Sequence, residues 1–237
     1  MNTYTKRILF SDIDCNKRMT VDGIMNAMQD CVNINSESIG RGIDYMLEKR
    51  RTWFAISWNI EIRRFPGMLE NVDVKTWPYD FSASIGMRNV IMTDESGNDI
   101  VVADSMWTLM DMNTGHPTRI EEEDKRGYEI EDRYPMEKLG RKIKLPEKMK
   151  EIDMVTVRKS DIDYNGHMSN GKYIQVADEY METGADIKRI RVEYKGQSRY
   201  GEKLIVRRAS WDNRHIISLS GRDAGDIRAV VEFTLGE

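Results

Sequence analysis

A chain of 237 residues, 32% charged and 40% hydrophobic, is long enough to bury one core or two joined ones, and its formal net charge of −4 argues against a general nucleic-acid binder. No apolar run approaches the roughly 18 residues of a membrane span, and the start, MNTYTKRILF, lacks the apolar stretch of a secretory signal, so a cytoplasmic protein is expected. Cys15 and Cys31 offer no metal-ligand spacing, and His116, His167 and His215 are too scattered for a metal site, so neither metal nor cofactor is expected.

Residues 6–10 read as a short strand feeding Ser11-Asp12-Ile13-Asp14-Cys15-Asn16. That string recurs at Ser160-Asp161-Ile162-Asp163-Tyr164-Asn165, five of six residues being identical at an offset of 149, and Met19 pairs with Met168 at the same offset. Two copies of one unit follow from this. After the first copy Val21, Ile24, Met25, Met28 and Val32 fall at helical spacing, with Gly40 and Gly42 as stop signals. The period then changes. Phe54, Ile56, Trp58, Ile60 and Ile62 alternate as a strand ended by Pro66-Gly67, and further strands are expected at 72–77, 82–93 and 100–111, with Glu95-Ser96-Gly97-Asn98 as a hairpin turn.

Residues 121–132 carry seven acids against two bases, residues 138–150 carry six bases against one acid, and three of the five prolines lie within 113–150. This stretch reads as a solvated crossover linker. The second half repeats the order, with a helix bearing Tyr173, Val176, Ala177, Tyr180 and Met181 and strands at 187–194, 204–211, 215–220 and 227–235. The fold class expected is α+β, with an antiparallel sheet wrapped around one long helix, made twice: residues 1–112 and 151–237, joined by 113–150.

The chemistry concentrates in the second copy. Asp163, Asn165 and His167 stand at alternate positions, and in an extended segment they would face one side together. Asn170 offers a cap for the helix that follows, whose amino end carries unpaired N–H groups and partial positive charge. Such a site can stabilise a developing negative charge. The other reading of Asp-x-Asn-x-His is a turn closed by side-chain-to-backbone hydrogen bonds. The first copy keeps Asp14 and Asn16 but has Arg18 in place of the histidine, so only the second copy holds the full set.

The segment Asp161, Asp163, Asn165, His167, Asn170 matches the form D-x-D-x-N-x-H-x-x-N. The first half adds Trp53-Phe54-Ala55-Ile56-Ser57 leading to Ile60-Glu61-Ile62-Arg63-Arg64-Phe65-Pro66, then Lys75-Thr76-Trp77, and Ser105-Met106-Trp107-Thr108-Leu109-Met110-Asp111. In this order and spacing, over nearly the whole chain, they resemble the acyl-acyl-carrier-protein thioesterases; with no transit segment, a bacterial member is implied. The resemblance implies two hot-dog domains in tandem and hydrolysis of fatty acyl-acyl carrier protein, which frees the fatty acid and ends chain elongation. The implied partner is an acyl carrier protein with a phosphopantetheine-linked acyl chain, with no nucleic acid or membrane; pairing of two chains stays open.

It further implies that Asn165 holds the carbonyl oxygen, that His167 moves a proton, and that Asp163 is either the base or the attacking carboxylate. Asn170 is a supporting candidate. There is one departure. Plant members carry Glu-Cys after Glu-Tyr, whereas Glu193-Tyr194 is followed here by Gln197-Ser198, which excludes a cysteine nucleophile and leaves Gln197 and Ser198 as supporting candidates. Met25 and Met28 are candidates for lining the acyl chain, or ordinary core. The competing readings are a hot-dog acyl-CoA thioesterase and a non-catalytic acyl-binding protein.

Overall fold

The structure, a computed structural model, describes residues 1–223 and 225–236; Ala224 and Glu237, both in the expected 151–237 domain, lie outside the described residues. The chain forms two compact units, dividing between Leu139 and Gly140, inside the 113–150 segment.

The first unit holds five antiparallel strands, β1 (Asn2–Arg7), β2 (Arg51–Ile62), β3 (Asn71–Ser82), β4 (Ile85–Thr93) and β5 (Asp99–Asp111), in the order β1-β3-β4-β5-β2. Its long helix α1 (Val21–Ser38) starts at Thr20, whose hydroxyl accepts the Gly23 N–H at 3.2 Å, replacing one of the first-turn partners a helix lacks. The periodic residues Val21, Ile24, Met25, Met28 and Val32 are buried, joined by Ala27 and Cys31. This face packs on β1, β3 and β4, where the Cys31 thiol donates to the Val74 carbonyl at 3.2 Å and the Tyr4 phenol to the Ala27 carbonyl at 2.9 Å. Helix and sheet thus form the hot-dog arrangement.

The segment after β5 is more than a solvated linker. Tyr134 and Met136 pack on Trp77, Ile91 and Val102, and the Trp77 indole donates to the Asp132 carbonyl. Within the acidic run, Asp124 is buried, ion-paired with Arg51 and bonded by the Tyr45 phenol; a buried carboxylate persists only with such partners. The basic run contributes Ile143, packed on Ile216 and Val230, with its N–H bonded to the Glu193 carboxylate at 3.0 Å.

The second unit repeats the plan with β6 (Lys150–Thr156), β7 (Ile187–Tyr194), β8 (Lys203–Trp211), β9 (Arg214–Ser220) and β10 (Ile227–Leu235), in the order β7-β10-β9-β8-β6. Two short helices in the first unit, α2 (Ile43–Glu48) and α3 (Glu122–Lys125), precede its helix α4 (Asn170–Asp178), which packs on β9 and β10.

Several expectations need correction. The first strand ends at Arg7, because the Asp12 carboxylate captures the Leu9 N–H and turns Phe10–Asp12 into a 3-10 turn that leaves Phe10 exposed. The second helix stops at Asp178, so Tyr180 and Met181 lie beyond it. Strand β6 has no counterpart in the expected elements, since its mostly exposed residues show no apolar alternation. Of the two cysteines, Cys15 is exposed and Cys31 buried.

Candidate active site

Asp163, Asn165 and His167 do not lie in an extended segment. They form a tight turn, closed at its neck by an antiparallel bridge between Ile162 and Met168. The Asp163 N–H donates to the His167 carbonyl at 2.8 Å, and the Gly166 N–H returns to the Asp163 carbonyl at 3.0 Å. One carboxylate oxygen of Asp163, Oδ1, accepts the Asn165 N–H at 2.8 Å and the His167 N–H at 3.4 Å. Gly166 takes φ +77°, a left-handed conformation that glycine adopts without penalty. The Asn-Gly pair was the sequence signal for this turn.

The turn is anchored on both sides. Met168 N–H donates to the Ser198 carbonyl at 2.8 Å, Ser169 N–H to the Asp161 carbonyl at 2.9 Å, and the Asp161 carboxylate holds the Arg158 N–H at 2.7 Å. Ser169, rather than Asn170, is the cap of α4; Asn170 is its first helical residue, and its carbonyl accepts the Tyr194 phenol at 2.9 Å. The shift has a simple origin: at the 149-residue offset Ser169 corresponds to Thr20, the cap of α1.

His167 is half-buried. Burial and the Arg199 guanidinium hold its pKa below the ordinary value, opposed by Asp163 and Glu202. An imidazole in that balance is neutral near pH 7 and able to take a proton. Its Nδ1 is buried and has no hydrogen-bond partner among the described residues.

The Gln197-Ser198 pair divides. Gln197 is exposed, whereas Ser198 is fully buried and its carbonyl fastens Met168. The Ser198 hydroxyl and the phenol of buried Tyr173 are likewise unbonded among the described residues. Burial raises the Tyr173 phenol above its usual range, with neighbouring Ser198 and Arg228 opposing. Met25 and Met28 lie fully buried on α1 in the first unit. Sequence reasoning missed Arg199 and Glu202 as the charges that act on the imidazole beside Asp163, and no local pattern signalled either.

The first copy reproduces the turn bond for bond. Asp14 N–H donates to the Arg18 carbonyl, Asp14 Oδ1 accepts the Asn16 and Arg18 N–H groups, and Lys17 takes φ +60° where Gly166 stands. Arg18, in the histidine's place, pairs with Asp14 at 3.6 Å and lies 4.8 Å over the Phe65 ring. That is a structural role.

The chain is 26% identical over 178 residues to a chloroplastic acyl-[acyl-carrier-protein] hydrolase of Cuphea viscosissima, covering 69% of this chain and 43% of that protein. It is 25% identical over 206 residues to oleoyl-acyl carrier protein thioesterase 2 of Arabidopsis thaliana, covering 78% and 56%. The chain thus spans between 43% and 56% of these relatives' length.

Two solved structures share the fold. An acyl-ACP thioesterase from Bacteroides thetaiotaomicron superimposes with a TM-score of 0.88 at 24% identity, covering 99% of this chain and 97% of that one. The 12:0-ACP thioesterase from Umbellularia californica superimposes with a TM-score of 0.86 at 18% identity, covering 99% and 96%. The family models for the acyl-ACP thioesterase N-terminal and C-terminal domains match residues 2–128 and 144–231. With one domain match on each unit, and the histidine turn inside the second, the chain belongs to the acyl-ACP thioesterase family.

Proposed function

We propose that this chain hydrolyses the thioester of fatty acyl-acyl carrier protein, releasing a free fatty acid and so ending chain elongation. The carrier protein presents the acyl group on phosphopantetheine, and the encounter takes place in the cytoplasm. The observation that carries this reading is the Asp163–His167 turn, which sets a carboxylate and a neutral imidazole beside the start of α4 in a chain of this family.

The division of labour follows from the turn. Asp163 Oδ1 is committed to two backbone N–H groups, which leaves Oδ2 for chemistry. The Asn165 carboxamide and the first-turn N–H groups of α4 receive the carbonyl oxygen as it becomes an oxyanion, and one such donor contributes roughly 10² to 10³ in rate. In the direct route His167 or Asp163 draws a proton from water. The water oxygen bonds to the carbonyl carbon, the C–S bond breaks, and the departing thiolate takes the proton. In the covalent route Asp163 Oδ2 attacks, the thiolate leaves, and water then cleaves the mixed anhydride. A single turnover in ¹⁸O-labelled water detects the covalent route when water attacks the aspartyl carbon of the anhydride, because the fatty acid then leaves with Oδ2 and the label stays in the Asp163 carboxylate.

Thiol release from acyl-carrier-protein and acyl-CoA thioesters, each over a series of chain lengths, tests the reading. The carrier-protein thioesters are turned over preferentially, and His167→Ala slows them by about 10² to 10⁴. Absence of release from every carrier-protein thioester, or parent-like rates in both His167→Ala and Asp163→Asn, defeats it. Preference for acyl-CoA would make the chain a hot-dog acyl-CoA thioesterase.

A further inference from the structure

The two copies of the turn share one backbone and carry different surfaces. In the first, the Ile8 N–H donates to the Glu70 carbonyl and the Leu69 N–H to the Ile8 carbonyl, both at 2.8 Å. In the second, the Val157 N–H donates to the Glu202 carbonyl at 2.9 Å and the Gly201 N–H to the Val157 carbonyl at 3.0 Å. Leu9, Phe10, Met68 and Leu69 thus stand where the second copy has Arg158, Lys159, Tyr200 and Gly201. The four apolar residues are between 43% and 80% exposed. Because Leu9 and Phe10 follow the paired Ile8 while Met68 precedes the paired Leu69, they gather at one end of that pairing.

The fold does not ask for them. The second copy closes the same turn with charged and polar residues, or glycine, at all four places. Leu69 works against stability: it stands at φ +68°, where the second copy has Gly201 at φ +82°, and the left-handed region strains a leucine but not a glycine. Large apolar side chains kept together in water, one of them on a strained backbone, mark a contact surface.

Charge tells what that surface fits. Within residues 7–18 and 66–70 every acid is engaged: Asp12 with Lys6 at 3.0 Å, Asp14 with the Asn16 N–H and Arg18, and Glu70 with Arg64 at 2.6 Å. Arg7 and Lys17 are exposed and have no acidic partner among the described residues. Arg7 adjoins Ile8, and Lys17 adjoins Arg18, which bridges to Gly67 beside Met68. Free positive charge around an apolar patch complements a surface that is anionic outside and apolar within.

We propose that this patch of the first unit docks on an anionic lipid bilayer, with Leu9, Phe10, Met68 and Leu69 entering the boundary between headgroups and acyl chains while Arg7 and Lys17 meet the headgroups. This departs from the expectation of no membrane partner. No helix among the described residues is long and apolar enough to cross a membrane, and the contact needs none. A second copy fits less well, since a stable interface takes roughly 20 to 30 residues a side. A bilayer asks for apolar depth and positive charge without a complementary shape. The docking does not rest on the hydrolase reading, although a released fatty acid would partition into the same bilayer.

Sedimentation of the full chain with vesicles of phosphatidylcholine alone, or of phosphatidylcholine with phosphatidylglycerol, tests the proposal at low and high salt. The chain binds the anionic vesicles preferentially, and salt weakens the binding. Phe10→Ser lowers the affinity about tenfold, the burial of its ring being lost. Leu69→Gly also lowers it, yet melts no lower than the parent, because glycine relieves the left-handed backbone. Lys17→Gln lowers it about fivefold, on anionic vesicles only.

Absence of binding to anionic vesicles overturns the proposal, as does equal binding by the parent and the Phe10→Ser, Leu69→Gly double variant. It is overturned too if sedimentation equilibrium shows a parent dimer that the double variant dissociates, for the patch is then an interface between two chains. Binding of acyl carrier protein that the double variant loses, with vesicles bound by neither, would assign the patch to a protein partner instead. Vesicle binding is read without any thioester, so its failure is distinct from failure of the hydrolase reading.

Discussion

Burial and the Arg199 guanidinium both push the His167 imidazole below its ordinary pKa of 6.5, and Asp163 and Glu202 push it back. The sign of the pH dependence follows. Activity that needs the neutral ring falls off on the acid side with a midpoint below 6.5, and replacing Arg199 by Gln moves that midpoint upward, because a repelling cation has gone. Measuring kcat/KM against pH for parent and Arg199→Gln checks it; a midpoint that stays put or moves down removes Arg199 from the account. Stability has the matching sign. The unfolded chain binds a proton at 6.5 and the folded one only at lower pH, so the contribution of His167 is present above 6.5 and is lost as pH falls toward the folded value. Asp163 separates charge from architecture. Asp163→Asn keeps an oxygen for the Asn165 and His167 N–H groups, so its melting temperature stays close to the parent's while kcat falls at least about 10². Asp163→Ala loses rate and turn together. The residues of this turn were legible in the sequence because they are neighbours in it. Arg199 and Glu202 were not, since the turn that carries them reaches the site through backbone bonds across a stretch of chain that no local pattern encodes.

At the scale of elements, the two copies offer paired experiments. Gly166 at φ +77° has nothing within 4 Å of where a Cβ would sit, so Gly166→Ala meets no clash and costs only the left-handed backbone, about 1 kcal/mol of stability. Lys17 at φ +60° already bears that cost in the first copy, which shows that the same turn closes with a side chain present. Denaturant unfolding of Gly166→Ala gives the number, and a loss of several kcal/mol would mean that the turn is packed more tightly than its surroundings indicate. The caps differ in the opposite sense. The Thr20 hydroxyl holds the Gly23 N–H and the Ser169 hydroxyl holds no cap bond, so Thr20→Ala costs about 1 kcal/mol and Ser169→Ala within about 0.5 kcal/mol. Equal losses would contradict the cap geometry. Elements with a one-sided apolar pattern, such as α1 and β2, could be read from the sequence. Strand β6 could not, because its pairing with β8 rests on backbone hydrogen bonds while its side chains face outward.

Taken whole, the chain contains one turn built twice and fastened in the same way, by Pro66–Glu70 in the first copy and Ser198–Glu202 in the second, so the copies differ in the side chains around the turn. In the second unit the Met168 N–H is met by the carbonyl of Ser198, which opens the turn bearing Arg199 and Glu202. In the first, the Met19 N–H is met by the carbonyl of Pro66, and Arg18 is spoken for by Asp14 and the face of Phe65. Restoring a histidine there therefore does not restore a site. In a His167→Ala background, Arg18→His gives no recovery of thioester hydrolysis, and it loses the stacking over Phe65, which at a half-exposed position is worth about 0.5 to 1 kcal/mol. Thiol release by the double variant, set against His167→Ala alone, decides the matter. A rise of about tenfold or more would mean that the Asp-x-Asn-x-His turn suffices by itself, and that the Ser198–Glu202 turn contributes nothing to the chemistry beyond holding the chain in place. No rise would place the functional difference between the copies in side chains beyond the turn, such as Ser198 and Arg199, which stand where the first copy has Pro66 and Gly67.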